Sequence, residues 1–410
     1  MHRDTSGADR QLAGLLAVAR RELGLSVAFL SRVDGSTRTV EHADSALPEF
    51  GAGWSGPREE SHCAAVLEGR LPRLVTDARD HPEAVRLQPA ELPQIRSHVS
   101  VPVVLSDGTV HGTFCAFGVV TDPEVRPHHL ALVEVLAEAA ALVIEPQVRR
   151  ERQEAAIAER LALVLSGTGP TVVLQPIVDL RTGTRTGAEA LSRFPVEWNC
   201  APDVVFADAH SIGAGDRLEL LALERAATLL DEVSGYVSMN VSAQTLLIPQ
   251  CAELLARLPL ERIVLELSEH EQVQDYASLG AALTPLRAAG MRLAIDDVGA
   301  GFSSLRHIVV TNPDVLKMDR SIVSGLDSDP ILAKLAQSLV EFAHSFDICV
   351  IAEGVETASE HAVLQALGVD GGQGWLFGRP GAADLLVDAG TRLAAPAPST
   401  PALDGSDGVG

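Results

Sequence analysis

Hydrophobic and polar positions alternate in short runs through the first 145 residues of the chain. An amphipathic stretch at 11–23 predicts a helix, and a second helical pattern at 127–145 closes the block. Ser106-Asp107-Gly108 separates the last two alternating runs, which is typical of a hairpin. These features predict a sensor-like α+β domain over residues 1–145. The predicted strands lie at 26–33, 37–43, 72–78, 98–105 and 109–120.

A helical pattern continues beyond this block. Apolar residues recur at three- or four-residue spacing from Leu132 to Val143, and the pattern resumes over 151–165. Pro146 lies between the two parts and removes a backbone donor, so we expect two helices or a kink rather than one straight rod. Residues 146–168 are expected to be a helical linker, which either packs on its own domain or transmits a signal across a dimer.

Strand-like and helix-like segments alternate through the rest of the chain. Eight apolar runs with helical stretches between most of them predict a (β/α)8 barrel over residues 169–390. Residues 391–410 are rich in Pro, Ala, Gly and Ser and are expected to be a disordered tail. The predicted strands lie at 171–178, 187–193, 236–241, 262–268, 292–297, 315–319, 349–354 and 372–378.

Charge and cysteine content narrow the choice of partners and compartment. A formal net charge of −23 argues against nucleic acid or an anionic membrane surface as a partner. Five cysteines without CxxC spacing favour a reducing compartment. The most apolar run, 130–146, contains three glutamates and is expected to be too short and too charged to span a bilayer. We therefore expect a cytoplasmic protein.

Polar side chains lie near the end of each predicted barrel strand after the first. Carboxylates in such positions are costly unless positive charge lies beside them, and active sites of these barrels form where the strands end. Oxygen ligands without His or Cys favour Mg²⁺ or Mn²⁺, and their number favours two adjacent ions. A single such acid is more often a helix cap, but a set on separate strands is improbable by coincidence. The set is Glu189, Asn240, Glu266, Asp296, Asp297, Lys317, Glu353 and Gln373.

The barrel segment resembles the EAL-domain cyclic di-GMP phosphodiesterases along its whole length. The resemblance rests on ordered motifs, and it implies a barrel that uses two Mg²⁺ or Mn²⁺ ions to open cyclic di-GMP to linear pGpG. The motifs are LQPIVDL (174–180), EALSR (189–193), NVS (240–242), ELSE (266–269), DDVGAGFSSL (296–305), LKMD (316–319), AEGVET (352–357) and QGWLFGRP (373–380).

The resemblance also implies roles for individual residues. One metal would be held by Glu189, Asn240, Glu266 and Asp296, and the other by Asp296, Asp297 and Glu353. Lys317 and Gln373 would hold the water nucleophile, and Glu356 would support them. Substrate contacts would come from Gln175, Leu191 and Arg193, and Glu269 would brace the loop after Asp297. The chain departs from the usual pattern at Val298, Ala300, Phe302, Ser268 and His210, which bears on turnover and regulation rather than on the metal ligands.

The first domain resembles a GAF domain, through residues 61–83 and 97–117. GAF domains bind cyclic nucleotides, tetrapyrroles or other small molecules, and many only dimerise; the ligand here is unknown. Cys63 invites interpretation as a tetrapyrrole attachment site, but its position favours a buried thiol, and Cys115 is expected in a core strand. The chain is therefore expected to be a homodimeric phosphodiesterase controlled by its GAF-like domain. The alternatives are a silent EAL module that binds cyclic di-GMP or a protein, and a GAF domain that serves only as a dimerisation scaffold.

Overall fold

The computed structural model describes residues 7–88, 93–120, 125–167, 169–268, 273, 275–299 and 304–383, with the backbone alone at 304–307. The chain divides into two compact units, Met1–Gln153 and Glu154–Gly410. The predicted tail at 391–410, and with it Glu269, Ala300 and Phe302, lies outside the described residues.

The first unit is built on an antiparallel sheet, as the alternating runs predict. Over the described residues the sheet has six strands in the order β3-β2-β1-β6-β5-β4. The predicted hairpin is confirmed, because β5 and β6 pair from Ser97↔Gly118 to Val104↔Val110. The strands are β1 (Val27–Asp34), β2 (Thr37–Ser45), β3 (Ser55–Pro57), β4 (Leu74–Val75), β5 (Ser97–Val104) and β6 (Val110–Gly118). The helices are α1 (Gly7–Leu23), α2 (His62–Leu67), α3 (Pro82–Arg86), α4 (Pro127–Ser166) and the 3₁₀ turns Arg58–Glu60 and Ala78–Asp80.

Each face of this sheet has its own core. One face packs against α1 and the first half of α4, with Leu16 and Ala140 among the buried residues. The other face contains Phe29, Cys63 and Cys115, all buried. The predictions of a buried Cys63 thiol and of Cys115 in a core strand are therefore confirmed.

Of the two predicted arrangements, two helices or a kink, the first is wrong, because helix α4 runs unbroken through Pro146. A proline at this position leaves the carbonyl of Leu142 without its helical donor, and Leu142 is 75% exposed, so water can satisfy that carbonyl. Within the described residues, α4 alone is long and apolar enough to cross a membrane by length and composition. This is weak evidence for a span, since α4 also supplies Val133 and Ala140 to a protein core.

The second unit contains the predicted closed barrel of eight strands, in the order β10-β11-β12-β13-β14-β7-β8-β9. The strands are β7 (Thr171–Asp179), β8 (Arg185–Arg193), β9 (Tyr236–Asn240), β10 (Ile263–Ser268), β11 (Arg292–Val298), β12 (Val315–Met318), β13 (Cys349–Ala352) and β14 (Gly371–Gln373). The helices are α5 (Pro202–Ser211), α6 (Gly215–Thr228), α7 (Ala243–Leu246), α8 (Pro249–Leu255), α9 (Tyr276–Ala288), α10 (Ser304–Thr311), α11 (Arg320–Val323), α12 (Pro330–His344) and α13 (Ala358–Ala366), with 3₁₀ turns at Val196–Trp198, Leu230–Glu232 and Leu260–Arg262.

Strand β7 departs from an all-parallel barrel, because it pairs antiparallel with both β8 and β14. The cause is the short connection after Asp179, where the Asp179 amide donates to the Thr184 carbonyl at 2.9 Å. So few residues can form a tight turn but not the crossover that a parallel neighbour requires. The reversal carries Gln175 opposite Glu189 in the β7–β8 ladder.

Candidate functional site

A single buried ammonium group lies at the centre of the predicted cluster. Lys317 is 1% exposed, and its Nζ lies 2.6 Å from Glu353 Oε1, 3.0 Å from Glu266 Oε2, 3.2 Å from Asp296 Oδ1 and 3.3 Å from Glu189 Oε2. Four carboxylates from four strands or strand ends thus meet one cation. The cluster contains more carboxyl groups than cationic groups, so it can attract further positive charge.

The strands bring these side chains to one rim of the barrel. Glu266 is the third residue from the end of β10, Lys317 is the second from the end of β12, and Glu353 follows β13 directly. Glu189 differs from its predicted strand-end position, since it lies in the middle of β8. The reason is that β8 continues beyond the rim by pairing with the reversed β7 as far as Thr171↔Arg193.

Asp296 and Asp297 share the rim because the backbone changes direction between them. Neighbours in a regular strand point to opposite faces, but Asp297 has φ +58 and the β11–β12 register shifts between Ile295 and Val298. The left-handed conformation costs about 1–2 kcal/mol for a residue with a side chain. The carboxylate oxygens of Asp296, Asp297 and Glu353 consequently lie within 4.8 Å of one another.

A second acidic group adjoins the first. Ligand oxygens of Glu189, Glu266 and Asp296 also lie within 4.8 Å of one another, so Asp296 belongs to both groups. Asn240 Nδ2 donates to Glu189 Oε1 at 3.0 Å, which places the amide beside this group. Two sets of hard oxygen donors with one shared carboxylate fit a pair of Mg²⁺ or Mn²⁺ ions.

Amide and hydroxyl groups orient the carboxylates. Gln373 Nε2 donates to Glu189 Oε2 at 2.6 Å and to Gln175 Oε1 at 3.0 Å. Ser238 Oγ donates to the buried Glu266 at 2.5 Å. The Oε1 atom of Gln373 is buried without a hydrogen-bond partner, so it can accept a bond from a bound water or ligand.

The charges perturb one another in the direction expected for a crowded acidic site. Burial raises the pKa of Glu353 to about 8, with Asp296 and Glu189 adding to the effect and Lys317 opposing it. Burial and the neighbouring Glu189 likewise raise the pKa of Glu266 well above its ordinary value. Burial acts to lower the pKa of Lys317, but the carboxylates, Asp296 foremost, raise it well above the usual range. The ammonium therefore stays charged.

A cleft of about 310 Å³ opens over the cluster and contains most of the predicted substrate contacts. Gln175 and Leu191 line it beside Glu353 and Glu356. Arg193 instead lines a neighbouring cleft of about 340 Å³, together with Leu191 and Asn240.

The sequence analysis missed Arg320, which also lines the cleft over the cluster. Its guanidinium pairs with Glu356, which lines the same cleft, at 2.7 Å. Gly354, with φ +65, allows this arrangement, because a Cβ there would lie 2.5 Å from Arg320 Cγ. A cation directly after the LKMD motif was the available signal.

The three departures from the family pattern that fall on described residues, His210, Val298 and Ser268, lie beside the cluster rather than within it. His210 Nε2 pairs with Glu219 Oε1 at 2.7 Å, and Glu219 Oε2 accepts from the Ser242 amide and hydroxyl, both at 2.8 Å. Val298 is buried at 1% exposure and pairs with Met318 across the β11–β12 ladder. Ser268 lies at the end of β10 and, with His210, lines a large groove of about 1210 Å³ that also reaches Asn240 and Glu266.

Two curated proteins are similar to this chain over 50% and 51% of its length. The chain is 30% identical over 219 residues to the probable cyclic di-GMP phosphodiesterase PdeB of Escherichia coli K12, covering 50% of this chain and 41% of that protein. It is 32% identical over 228 residues to the uncharacterized protein Rv1357c of Mycobacterium tuberculosis H37Rv, covering 51% of this chain and 74% of that one. The chain spans between 30% and 41% of the length of three curated relatives, of which PdeB is one.

Solved structures are also similar to this chain. The PaMucR phosphodiesterase in complex with c-di-GMP matches with a TM-score of 0.51 at 26% identity, covering 56% of this chain and 99% of that one. The cAMP-bound form of the EAL enzyme Bd1971 covers 88% of this chain and 92% of that one at 22% identity with a TM-score of 0.52, which shows similarity of fold alone. The family model of the GAF domain matches residues 9–145, and that of the EAL domain matches residues 158–380. The chain therefore belongs to the EAL domain family and carries a GAF domain ahead of its EAL domain.

Proposed function

We propose that this chain hydrolyses cyclic di-GMP to linear pGpG with two Mg²⁺ or Mn²⁺ ions. The observation that carries the proposal is the pair of carboxylate groups that share Asp296 around the buried Lys317. Glu189, Asn240, Glu266 and Asp296 would hold one ion, and Asp296, Asp297 and Glu353 the other. When bound, the ions would activate a water and neutralise charge on the phosphodiester.

The chain's own residues would position the reacting groups. Lys317 is a permanent cation, and its Nζ can hold the attacking water and stabilise the negative charge that develops on the phosphate. Gln373 presents an unpaired Oε1 that can accept a hydrogen from the same water. Glu356, through its bond to Arg320, would keep a second positive group in the cleft.

Substrate binding would use cations at the edges of the two clefts. Arg193 is half-buried, and its donors other than the one bonded to the Ser192 carbonyl are available for a phosphate. Leu191 and Gln175 would contact the base and ribose side of the nucleotide, and Glu269 would brace the loop that follows Asp297. An arginine suits this task because its planar donors match phosphate oxygens.

The test is hydrolysis of cyclic di-GMP by purified full-length protein with Mn²⁺ or Mg²⁺ at alkaline pH, with pGpG measured by chromatography. Glu189→Ala should abolish turnover, since it removes one carboxylate from the first group. Glu224→Ala is the matched control, because Glu224 is an exposed glutamate on α6. Tight binding of cyclic di-GMP without hydrolysis would instead favour the receptor function.

We also infer a regulatory first domain and a homodimer in the cytoplasm, with domain limits at 1–145, 146–168, 169–390 and 391–410. Val135, Ala139 and Leu142 follow one another along α4 at four- and three-residue spacing, and Val135 and Leu142 are 62% and 75% exposed. This spacing suits helix pairing between two copies. Comparing full-length protein with residues 154–410 tests the regulation; equal rates and equal oligomeric state would contradict it.

A further inference from the structure

Two thiols meet in the core of the first unit. Cys63 on α2 and Cys115 on β6 are 4% and 2% exposed, and their sulfur atoms lie 3.2 Å apart although 52 residues separate them in sequence. Both are free cysteines. Burial of one cysteine is ordinary for a small apolar residue, but contact between two brings a reactive pair together.

Hydroxyl groups surround this pair where an apolar core would be expected. Ser31, Ser100 and Thr113 come from β1, β5 and β6, and each is fully buried. Ser100 Oγ lies 3.0 Å and Thr113 Oγ1 3.1 Å from Cys115 Sγ, and Ser31 Oγ lies 2.8 Å from Thr113 Oγ1. If these three positions served packing alone, Ala or Val would fill the same space without burying a polar group. These hydroxyls can stabilise a charged or oxidised sulfur and carry its proton.

A small cavity reaches the thiols and contains unpaired donors. It has a volume of about 30 Å³ and is lined by Cys63, Cys115, Arg38, His62 and His98, among others. Arg38 is 6% exposed, and its Nε and one terminal nitrogen are buried without a hydrogen-bond partner, as are both ring nitrogens of His98. Groups left unpaired in this way indicate a polar occupant.

The volume of the cavity limits the size of the molecule that can bind there. A single water needs roughly 10–15 Å³ measured in this way, so a cavity of about 30 Å³ has room for a molecule with two heavy atoms. A nucleotide or a glutathione disulfide is many times larger. Hydrogen peroxide has two oxygens, each able to accept a hydrogen bond from Arg38 or His98.

The two sulfurs differ in acidity, which assigns their roles. Hydrogen bonding from Cys115, with help from the Arg38 charge, lowers the pKa of the Cys63 thiol against the opposing effect of burial. Burial raises the pKa of the Cys115 thiol well above its ordinary value. Thiolates are the reactive form, so Cys63 suits the attacking sulfur and Cys115 the resolving thiol.

We propose that Cys63 and Cys115 form a peroxide-reactive dithiol that closes to a reversible disulfide. The Cys63 thiolate attacks one oxygen of hydrogen peroxide, the O–O bond breaks, and the hydroxide released takes a proton to leave as water. The Cys115 thiol then displaces the hydroxyl of the resulting sulfenic acid as a second water, forming the S–S bond. Both sulfurs are oxidised by one electron each and the peroxide is reduced to two waters. Disulfides of this transient kind are compatible with a reducing compartment.

The test treats full-length protein with hydrogen peroxide or with glutathione disulfide, alkylates the remaining thiols after denaturation, and measures intact and peptide masses. Peroxide should remove two alkylatable thiols and link the Cys63 and Cys115 peptides, and dithiothreitol should restore both thiols. Glutathione disulfide should leave this pair unmodified. Both thiols staying alkylatable at a peroxide dose that oxidises the half-buried Cys200 would overturn the proposal.

Variants of the cysteines test which sulfur reacts with peroxide first and which one forms the disulfide afterwards. Cys115→Ser should stop at a sulfenic acid on Cys63 that dimedone traps after denaturation, whereas Cys63→Ser should remove the peroxide reaction at this site. Cys251→Ser, a buried cysteine of the second unit, is the control and should leave the Cys63–Cys115 link unchanged. A link that forms equally fast in Arg38→Lys and Arg38→Met would show that charge at position 38 plays no part, and a disulfide of Cys63 with any other cysteine would contradict the pairing.

Discussion

Replacing Lys317 with methionine should make the metal-free second unit unstable in a pH-dependent way. Methionine keeps most of the side-chain volume but removes the ammonium that lies 2.6–3.3 Å from four carboxylate oxygens. Because Lys317 is 1% exposed, water cannot replace it. The carboxylates of Glu189, Glu266, Asp296 and Glu353 would then repel one another without compensation.

The size of the stability loss in Lys317→Met follows from the burial of Lys317 and of the carboxylates around it. Breaking a buried ion pair by removing one partner costs about 3–5 kcal/mol. Carboxyl groups with pKa values raised in the folded state bind more protons folded than unfolded, so stability falls as pH rises from the unfolded pKa of 4.5 through the folded value, which is about 8 for Glu353. Loss of Lys317 raises these values further. We expect the deficit of Lys317→Met to be about 1 kcal/mol at pH 5, from packing, and the full 3–5 kcal/mol near pH 8.

The assay is urea unfolding with EDTA in a Trp54→Phe background, followed by the fluorescence of Trp198 and Trp375, which both belong to the second unit. Lys334→Met is the control, since Lys334 is an exposed lysine on α12 and should change stability by less than about 0.5 kcal/mol. Millimolar Mn²⁺ should reduce the deficit, because bound ions restore positive charge and stabilise the folded state by mass action. A deficit equal at pH 5 and pH 8 and unaffected by Mn²⁺ would refute the electrostatic reasoning.

Three other outcomes follow from particular contacts. Asp297→Gly should stabilise the metal-free protein by about 1 kcal/mol in urea unfolding, since it relieves φ +58, while abolishing hydrolysis; a loss of stability would contradict the strain. Burial lowers the pKa of His98 to about 3, so the unfolded chain takes up the proton first, and lowering pH from 6.5 to 4.5 should cost the first unit about 2 kcal/mol through this group. His98→Gln should remove that part of the cost in urea unfolding followed by the fluorescence of Trp54, the tryptophan of the first unit, with Trp198 and Trp375 replaced by Phe. Leu142→Glu should weaken dimerisation in analytical ultracentrifugation, whereas Gln147→Glu, which adds the same charge off the apolar stripe, should not.

The sequence predicted the barrel and its acidic rim because both depend on local patterns. Predicted runs of five to eight residues located all eight strands, and a polar residue at the end of such a run is visible without knowledge of the fold. Reversal of β7 was not visible, because it depends on how the chain turns after Asp179 rather than on strand periodicity. The position of Glu189 in the middle of β8 is a consequence of that reversal.

Contacts between segments that are far apart in sequence could not be predicted from the hydrophobic pattern either. The bond from Arg320 to Glu356 requires the turn at Gly354 to leave room for the arginine, and neither residue is marked by periodicity. Contact between Cys63 and Cys115 requires α2 to lie over β6, which sequence spacing does not indicate. That α4 continues through Pro146 instead of dividing into two helices was not visible either, because the exposure of Leu142 depends on which side of α4 is covered.

Features that lower stability coincide at one rim of the barrel, and this coincidence is the strongest argument that the rim performs chemistry. Asp297 holds a left-handed backbone, Glu353 and Glu266 are acids with raised pKa values, and Gln373 has a buried oxygen without a partner. Packing of the barrel requires none of them, since apolar side chains at positions 266, 353 and 373 and a glycine at position 297 would remove the costs. The costs at Glu266, Glu353 and Gln373 diminish together if two cations bind the carboxylates and a water bonds to Gln373. A pair of cations with its water, bound in part by the carboxylate that the strained backbone at Asp297 brings to the rim, explains the site better than four separate defects.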